Sequence, residues 1–264
     1  MTAGGQHDPI GIFDSGIGGL SVLSAIHQRL PAENLFYIAD SAYAPYGELT
    51  AAAVRRRSEL VVQALLAQGV KAVVVACNTA TALAVDYLRA RYTLPMIAIE
   101  PALKPAIQRS SNGTVGVLAT RATLSSARYA ALLARYGNRA QVIAQPCPGL
   151  VEHIERGDWK SDELRALLQG YLSPLLAAGA DQIVLGCTHY PFLRPLIETL
   201  AGVQVEILET GPAVAAELQR QLSQHGLLND SGQGQLHFRT SGDPASASAV
   251  LKRLYGEDAV FTPL

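Results

Sequence analysis

Lys71-Ala-Val-Val-Val-Ala-Cys77-Asn-Thr79 and Gln182-Ile-Val-Leu-Gly-Cys187-Thr-His189 decide the fold. Each is a short β-branched run ended by a cysteine and followed at once by small polar residues and a helical pattern. That is a strand running into the helix of an α/β layer, so both cysteines fall at the carboxyl ends of strands, where ligands bind in such sheets. Two thiols brought there from opposite halves of a chain could flank one carbon atom from both sides. Inverting a stereocentre without a cofactor requires that arrangement.

The same alternation extends in both directions and predicts parallel α/β layers throughout. In the first half, strands are expected over 10–13, 35–39, 71–76 and 96–99. Helices are expected over 19–30, where Leu20, Leu23, Ile26 and Leu30 form one apolar stripe, over 50–68, and from Thr79 onward. The second half repeats the order, with strands over 115–119, 142–144, 182–186 and 205–208. Its helices are expected over 124–136, from Ser161 as the capping residue, and after Pro191. Ile10-Gly-Ile-Phe answers Val115-Gly-Val-Leu, and in both halves the cysteine follows the third strand. The expected fold is therefore two similar parallel-sheet α/β domains related by an approximate two-fold axis, with the active site in the cleft between them. Residues 1–99 with 210–264 would form the first domain, carrying Cys77, and 100–209 the second, carrying Cys187. The tail should add two helical stretches and a strand at 236–239, packed back on the first domain. Gly232-Gln-Gly234 reads as a loop.

Bulk properties bound the function. A chain of 264 residues, 49% hydrophobic, can bury a large core. Its 21 basic and 22 acidic residues leave a net charge of −1 and no basic stripe of the kind nucleic-acid binders carry. The one basic run, Arg55-Arg56-Arg57, falls in an expected helix and reads as a solvated face. Met1-Thr-Ala-Gly-Gly-Gln-His-Asp-Pro9 lacks the features of a secretory signal, and no apolar stretch is long enough to span a membrane. A cytoplasmic location is expected. Cys77, Cys147 and Cys187 make an odd count without a Cys-x-x-Cys pair, which fits reduced thiols.

Several groups could carry chemistry. Asp14-Ser-Gly-Ile-Gly-Gly19 follows the first strand and opens a helix, so its free amides favour an anion such as a carboxylate. Gly16-Ile17 stands where a Walker loop needs Gly-Lys, and Ser21 stands where a dinucleotide motif needs Gly or Ala. Asp40, at the end of the second strand, keeps a dinucleotide-binding reading open. Cys77 begins a helix, whose dipole would lower the thiol's pKa. Cys187 has His189 two residues on, an imidazole able to orient the thiol or exchange its proton. Zinc on Cys77, Cys187 and His189, a one-cysteine acyl transferase, and a carboxylate-binding or sensor protein without catalysis are the remaining alternatives. The four lysines, Lys71, Lys104, Lys160 and Lys252, come with no phosphate-binding sequence that would suit pyridoxal phosphate, so no cofactor and no metal are expected.

With Asp14-Ser15-Gly-Ile-Gly-Gly, Ala44-Pro-Tyr-Gly47, Cys77-Asn-Thr79 and Gly186-Cys-Thr-His-Tyr-Pro191 in order, the chain from about Ile10 to about Leu218 resembles the glutamate racemases. The resemblance implies cofactor-independent interconversion of L- and D-glutamate, supplying the D-isomer for peptidoglycan, cell-wall biogenesis and cell shape. It implies that Cys77 removes the α-proton of D-glutamate and Cys187 that of L-glutamate, assisted by Asp14, His189 and Glu155, with Glu152 close enough to compete for that last role. Substrate contacts implied are Asp14, Ser15, Tyr46, Gly47, Asn78, Thr79, Thr120, Thr123, Thr188 and His189. Ser41-Ala-Tyr43 and Glu209 depart from the commonest family pattern at the rim. Aspartate racemase or a related isomerase stays open within the superfamily. Cleft enzymes of this size often pair, which keeps a homodimer open, and the resemblance leaves open a cell-wall precursor as activator.

Overall fold

A computed structural model describes residues 5–256 and 258–264; Glu257 and the first four residues of the stretch read for a secretory signal lie outside the described residues. In chain order the first lobe holds β1 (Ile10–Asp14), α1 (Leu20–Arg29), β2 (Leu35–Ala39), α2 (Ala51–Leu66), β3 (Ala72–Val75), α3 (Asn78–Arg89) and β4 (Met96–Ala98). Then follow α4 (Leu103–Arg109), β5 (Thr114–Ala119), α5 (Arg121–Leu124), α6 (Ala127–Tyr136), β6 (Gln141–Pro146), α7 (Leu150–Glu155) and α8 (Asp162–Ala177). The chain continues through β7 (Gln182–Gly186), α9 (Arg194–Ala201), β8 (Glu206–Leu208), α10 (Gly211–Gln224), β9 (Leu236–Thr240), α11 (Pro244–Tyr255) and β10 (Thr262–Pro263).

Among the described residues the strands form two sheets, ordered β10-β9-β2-β1-β3-β4 and β6-β5-β7-β8, with every pairing parallel. The order second-first-third-fourth therefore recurs in both lobes, as the repeated sequence pattern predicts. The tail returns to the first lobe: β9 pairs with β2, and α10 packs on α1. Helices cover both faces of each sheet, so the strands are apolar on both sides. Ile10 and Ile12 face one core cluster that continues into the second lobe through Leu118, Leu150 and Leu193. Phe13, Val73 and Val75 face another under α2 and α3.

Three expectations need correction. The helix expected over 124–136 starts later, as α6 at Ala127, and a separate short helix, α5, ends at Leu124; Thr120 accepts from Thr123 N–H and Ser126 from Tyr129 N–H, and each hydroxyl caps its own start. The helix expected after Pro191 is α9, entered through a 3-10 turn, Tyr190–Leu193. Arg57 is not part of a solvated face: its guanidinium turns inward onto Asp40, while Arg55 and Arg56 stay exposed. Asp40 itself is fully buried and accepts from Tyr46, Arg57 and Ser241, so it faces protein donors and not a ribose.

Candidate active site

The carboxyl ends of β1, β3, β5 and β7 deliver Asp14, Cys77, Thr120 and Cys187 to one cleft, where side chains from both lobes meet. Cys77 caps α3 and is 4% exposed; Ala80 N–H donates to its Sγ at 3.4 Å, and the thiol lies 3.8 Å from Ser15 Oγ. Cys187 is 6% exposed, with His189 Nδ1 3.7 Å from its Sγ. On its far side the imidazole meets Glu155: His189 Nε2 is 2.5 Å from Glu155 Oε1. The same oxygen accepts from Ile17 N–H at 2.8 Å. Glu152, the competing carboxylate, points elsewhere and lines a crevice with Gly47 and Thr120.

Asp14 joins the two halves of this assembly. Its Oδ1 accepts from Ser15 Oγ at 3.0 Å and Gly16 N–H at 3.1 Å, and its Oδ2 accepts from Thr188 Oγ1, on the opposite lobe, at 2.6 Å. A continuous chain of contacts thus runs from Cys77 through Ser15, Asp14 and Thr188 to the loop bearing Cys187 and His189. The glycine loop was expected to offer free amides to a ligand carboxylate. Two of these amides, those of Gly16 and Ile17, are taken by the protein's own Asp14 and Glu155.

Polar groups for a ligand come from elsewhere. Thr79, Thr120 and Thr123 bring three hydroxyls together across the lobes, with Thr79 Oγ1 3.0 Å from Thr120 Oγ1 and Thr120 Oγ1 2.9 Å from Thr123 Oγ1. Asn78 is buried, yet neither its Oδ1 nor its Nδ2 has a protein partner, an arrangement that leaves two donors and an acceptor for a guest. Tyr46 reaches the cleft wall with its hydroxyl proton committed to Asp40 at 2.6 Å, so it has no free donor for substrate. Gly47 touches Thr120 so closely that an added Cβ would lie 3.0 Å from the Thr120 Cβ. A cavity of about 290 Å³ adjoins this site, bordered by Cys187, Thr188 and Asn78 and by α1 and α10, but not by Cys77.

Burial dominates the electrostatics of the site. Burial pushes the Cys77 thiol well up, the charge on Asp14 pushes it further, and the Ala80 amide only partly offsets this. The expectation that the helix start lowers this pKa is therefore reversed: desolvation outweighs the dipole. Burial likewise raises the Asp14 carboxyl, against the opposing charge of His189 and the bonds from Thr188, Ser15 and Gly16. For His189, burial alone would lower the pKa. Its bonds to Cys187 and Glu155 outweigh that and hold it well above the ordinary 6.5. Cys147, buried beside Gln145 and Tyr190, is also raised, by burial first and then by the charge of Cys187. Among the described residues no three His, Cys, Asp or Glu side chains converge as a metal-ligand group. No described helix is long and apolar enough to cross a membrane.

Comparison with known proteins gives a consistent result. Residues 10–218 match the family model described as Asp/Glu/Hydantoin racemase. A glutamate racemase of Ectopseudomonas mendocina (strain ymp) is 54% identical over 252 residues, covering 95% of this chain and 96% of that protein. Glutamate racemase isoform RacE1 of Bacillus anthracis has a TM-score of 0.88 at 31% identity, with 98% of each chain covered. Escherichia coli glutamate racemase, solved in complex with L-glutamate and the activator UDP-MurNAc-ala, has a TM-score of 0.86 at 30% identity over 97% of this chain and 98% of that one.

Proposed function

Since the chain belongs to the glutamate racemase family, we propose that it interconverts L- and D-glutamate by proton transfer between two cysteines, and so supplies D-glutamate for peptidoglycan. The observation that carries the reading is the pair of buried strand-end thiols from opposite lobes, each with its own proton partner, joined through Asp14 and Thr188.

Burial and the Asp14 charge favour the protonated Cys77 thiol. An amino acid brings its own ammonium, and a cation at that position reduces the cost of a thiolate. Cys77 as thiolate takes the α-proton of D-glutamate, and the thiol of Cys187 gives a proton to the opposite face of the carbon, yielding L-glutamate. The reverse reaction exchanges the roles, and the two sulfurs change protonation state with each turnover. His189, kept charged by Cys187 and Glu155, is the proton reservoir on the Cys187 side. Asp14, whose carboxyl is raised by burial, does the same beside Cys77.

The α-proton is weakly acidic, so the developing carbanion needs donors fixed in advance. Asn78 and the hydroxyls of Thr79, Thr120, Thr123 and Thr188 supply them for the α-carboxylate, with Ser15, Tyr46 and Gly47 completing the wall. We assign residues 1–99 with 210–264 to one domain and 100–209 to the other. The reaction is placed in the cytoplasm, a homodimer is one assembly to test, and a cell-wall precursor of the kind bound to the Escherichia coli protein is the activator to test.

Purified protein incubated with L-glutamate in D2O, without added cofactor, should lose optical rotation while the α-hydrogen signal disappears. Cys77→Ala and Cys187→Ala should each lose racemisation by about a thousandfold or more, whereas Cys147→Ser should still turn over. Sustained turnover in either of the first two variants refutes the two-thiol scheme.

A further inference from the structure

The segment between β2 and α2 contributes Tyr46 and Gly47 to the cleft but has no regular structure of its own, only two 3-10 turns, Ser41–Tyr43 and Tyr46–Glu48. Its position is set from beneath. Asp40, 0% exposed, accepts Arg57 Nε at 3.0 Å and Arg57 Nη2 at 2.8 Å, Tyr46 Oη at 2.6 Å and Ser241 Oγ at 2.7 Å. The Arg57 guanidinium also lies 3.7 Å from the centre of the Tyr43 ring. One cation therefore holds both turns, the first by its face and the second through the Asp40 carboxylate. Ser241, at the end of the returning strand β9, reaches the same carboxylate and accepts from Ala42 N–H at 3.3 Å.

The geometry points to Arg57 as a positioning residue for substrate binding, acting through Asp40 to fix where Tyr46 and Gly47 stand against Thr120 and Thr79. This rests on the racemase reading of the cleft. Arg57 is fitted to the task by chemistry that lysine lacks: a planar fork that engages a carboxylate with two donors while stacking on an aromatic ring. A carboxylate this deep is tolerable only with its cation, and removing one partner leaves an uncompensated buried charge. The segment that rests on it then shifts or loosens. Because the thiols sit on other elements, after β3 and β7, the effect falls on substrate affinity and spares proton transfer.

The test is steady-state racemisation of D- and L-glutamate by the full chain and by Arg57→Met and Arg57→Lys, assayed well below each variant's thermal midpoint. Arg57→Met should raise KM about tenfold while kcat changes less than about threefold, a split that marks lost binding. Arg57→Lys should recover part of the affinity. If Arg57→Met does not fold, Ser241→Ala serves, since it removes one donor to Asp40 and leaves the ion pair; its KM should rise about threefold. A folded variant with unmoved KM, or with the whole loss in kcat, overturns the proposal. No turnover in the unaltered protein would remove the racemase reading and this proposal together, whereas turnover with an unmoved KM in the variant removes this proposal alone.

Discussion

Adding one methyl group at Gly16 should disable the Cys187 side of the site without touching either thiol. A Cβ on Gly16 would lie 1.9 Å from Glu155 Oε1 and 2.6 Å from its Cδ, far inside any contact real atoms make. The obstacle is the end of a flexible side chain, so the backbone can stay and the carboxylate must retreat by about 1.5 Å to reach ordinary contact. A shift of that size breaks the 2.8 Å bond from Ile17 N–H and the 2.5 Å contact with His189. Each hydrogen bond to a charged group is worth about 1.5–3 kcal/mol, and water reaching a carboxylate that is already 18% exposed recovers part of it. A net loss of about 2 kcal/mol in the transition state corresponds to a rate reduced roughly thirtyfold. Circular dichroism, following racemisation from each enantiomer, measures this directly. The decisive comparison is Gly16→Ala in a Glu155→Ala background, where no carboxylate remains to be displaced and the methyl should have almost no further effect. A full additional loss there would refute the claim that the glycine exists to admit Glu155.

Two further predictions concern stability. His189 has a folded pKa above its ordinary 6.5, so its contribution is complete below about pH 6.5 and fades as pH rises through the folded value. Urea midpoints of the protein and of His189→Asn should therefore differ most near pH 6 and converge in alkaline solution; a gap that widens with pH contradicts the charged pairing with Glu155. At the opposite end of β3, Lys71 and Glu33 form an ion pair with both side chains 0% exposed, and Glu33 also accepts from Asn229 N–H at 2.9 Å. Lys71→Met should cost about 3–5 kcal/mol of unfolding free energy by stranding Glu33, and a urea midpoint within error of the parent's would show that the pair is not needed.

The repeated strand-to-helix pattern was readable because its elements carry their own boundary signals. Strands 35–39 and 182–186 are apolar runs closed by polar residues, and Thr50 and Ser161 cap the helices that follow them, as the structure shows. Misreading began where a signal had two uses. Ser126 looks like one polar residue inside an amphipathic stretch, but its hydroxyl restarts the helix. The helix carrying Glu155 is only six residues long, too short for a periodic pattern, although Gly149 before it and Gly157 after it, both with positive φ, mark its limits. Arg57 could not be placed from sequence because its partner, Asp40, comes from the strand on the other side of an irregular segment. The motif residues were legible as a set; that the glycine loop would be filled by Glu155 was not, since it depends on a contact 138 residues apart.

The chain crosses between the lobes twice, after β4 and after β8, and α10, which begins at the second crossing, packs against β4. The two adjacent straps define a line along which the lobes are joined. Cys77 and Cys187 follow β3 and β7, the strands next to that line, whereas residues 45–48 and 147–152 face each other further out. Displacement grows with distance from an axis, so any rotation of one lobe on the other about that line would move the outer rim further than the two sulfurs.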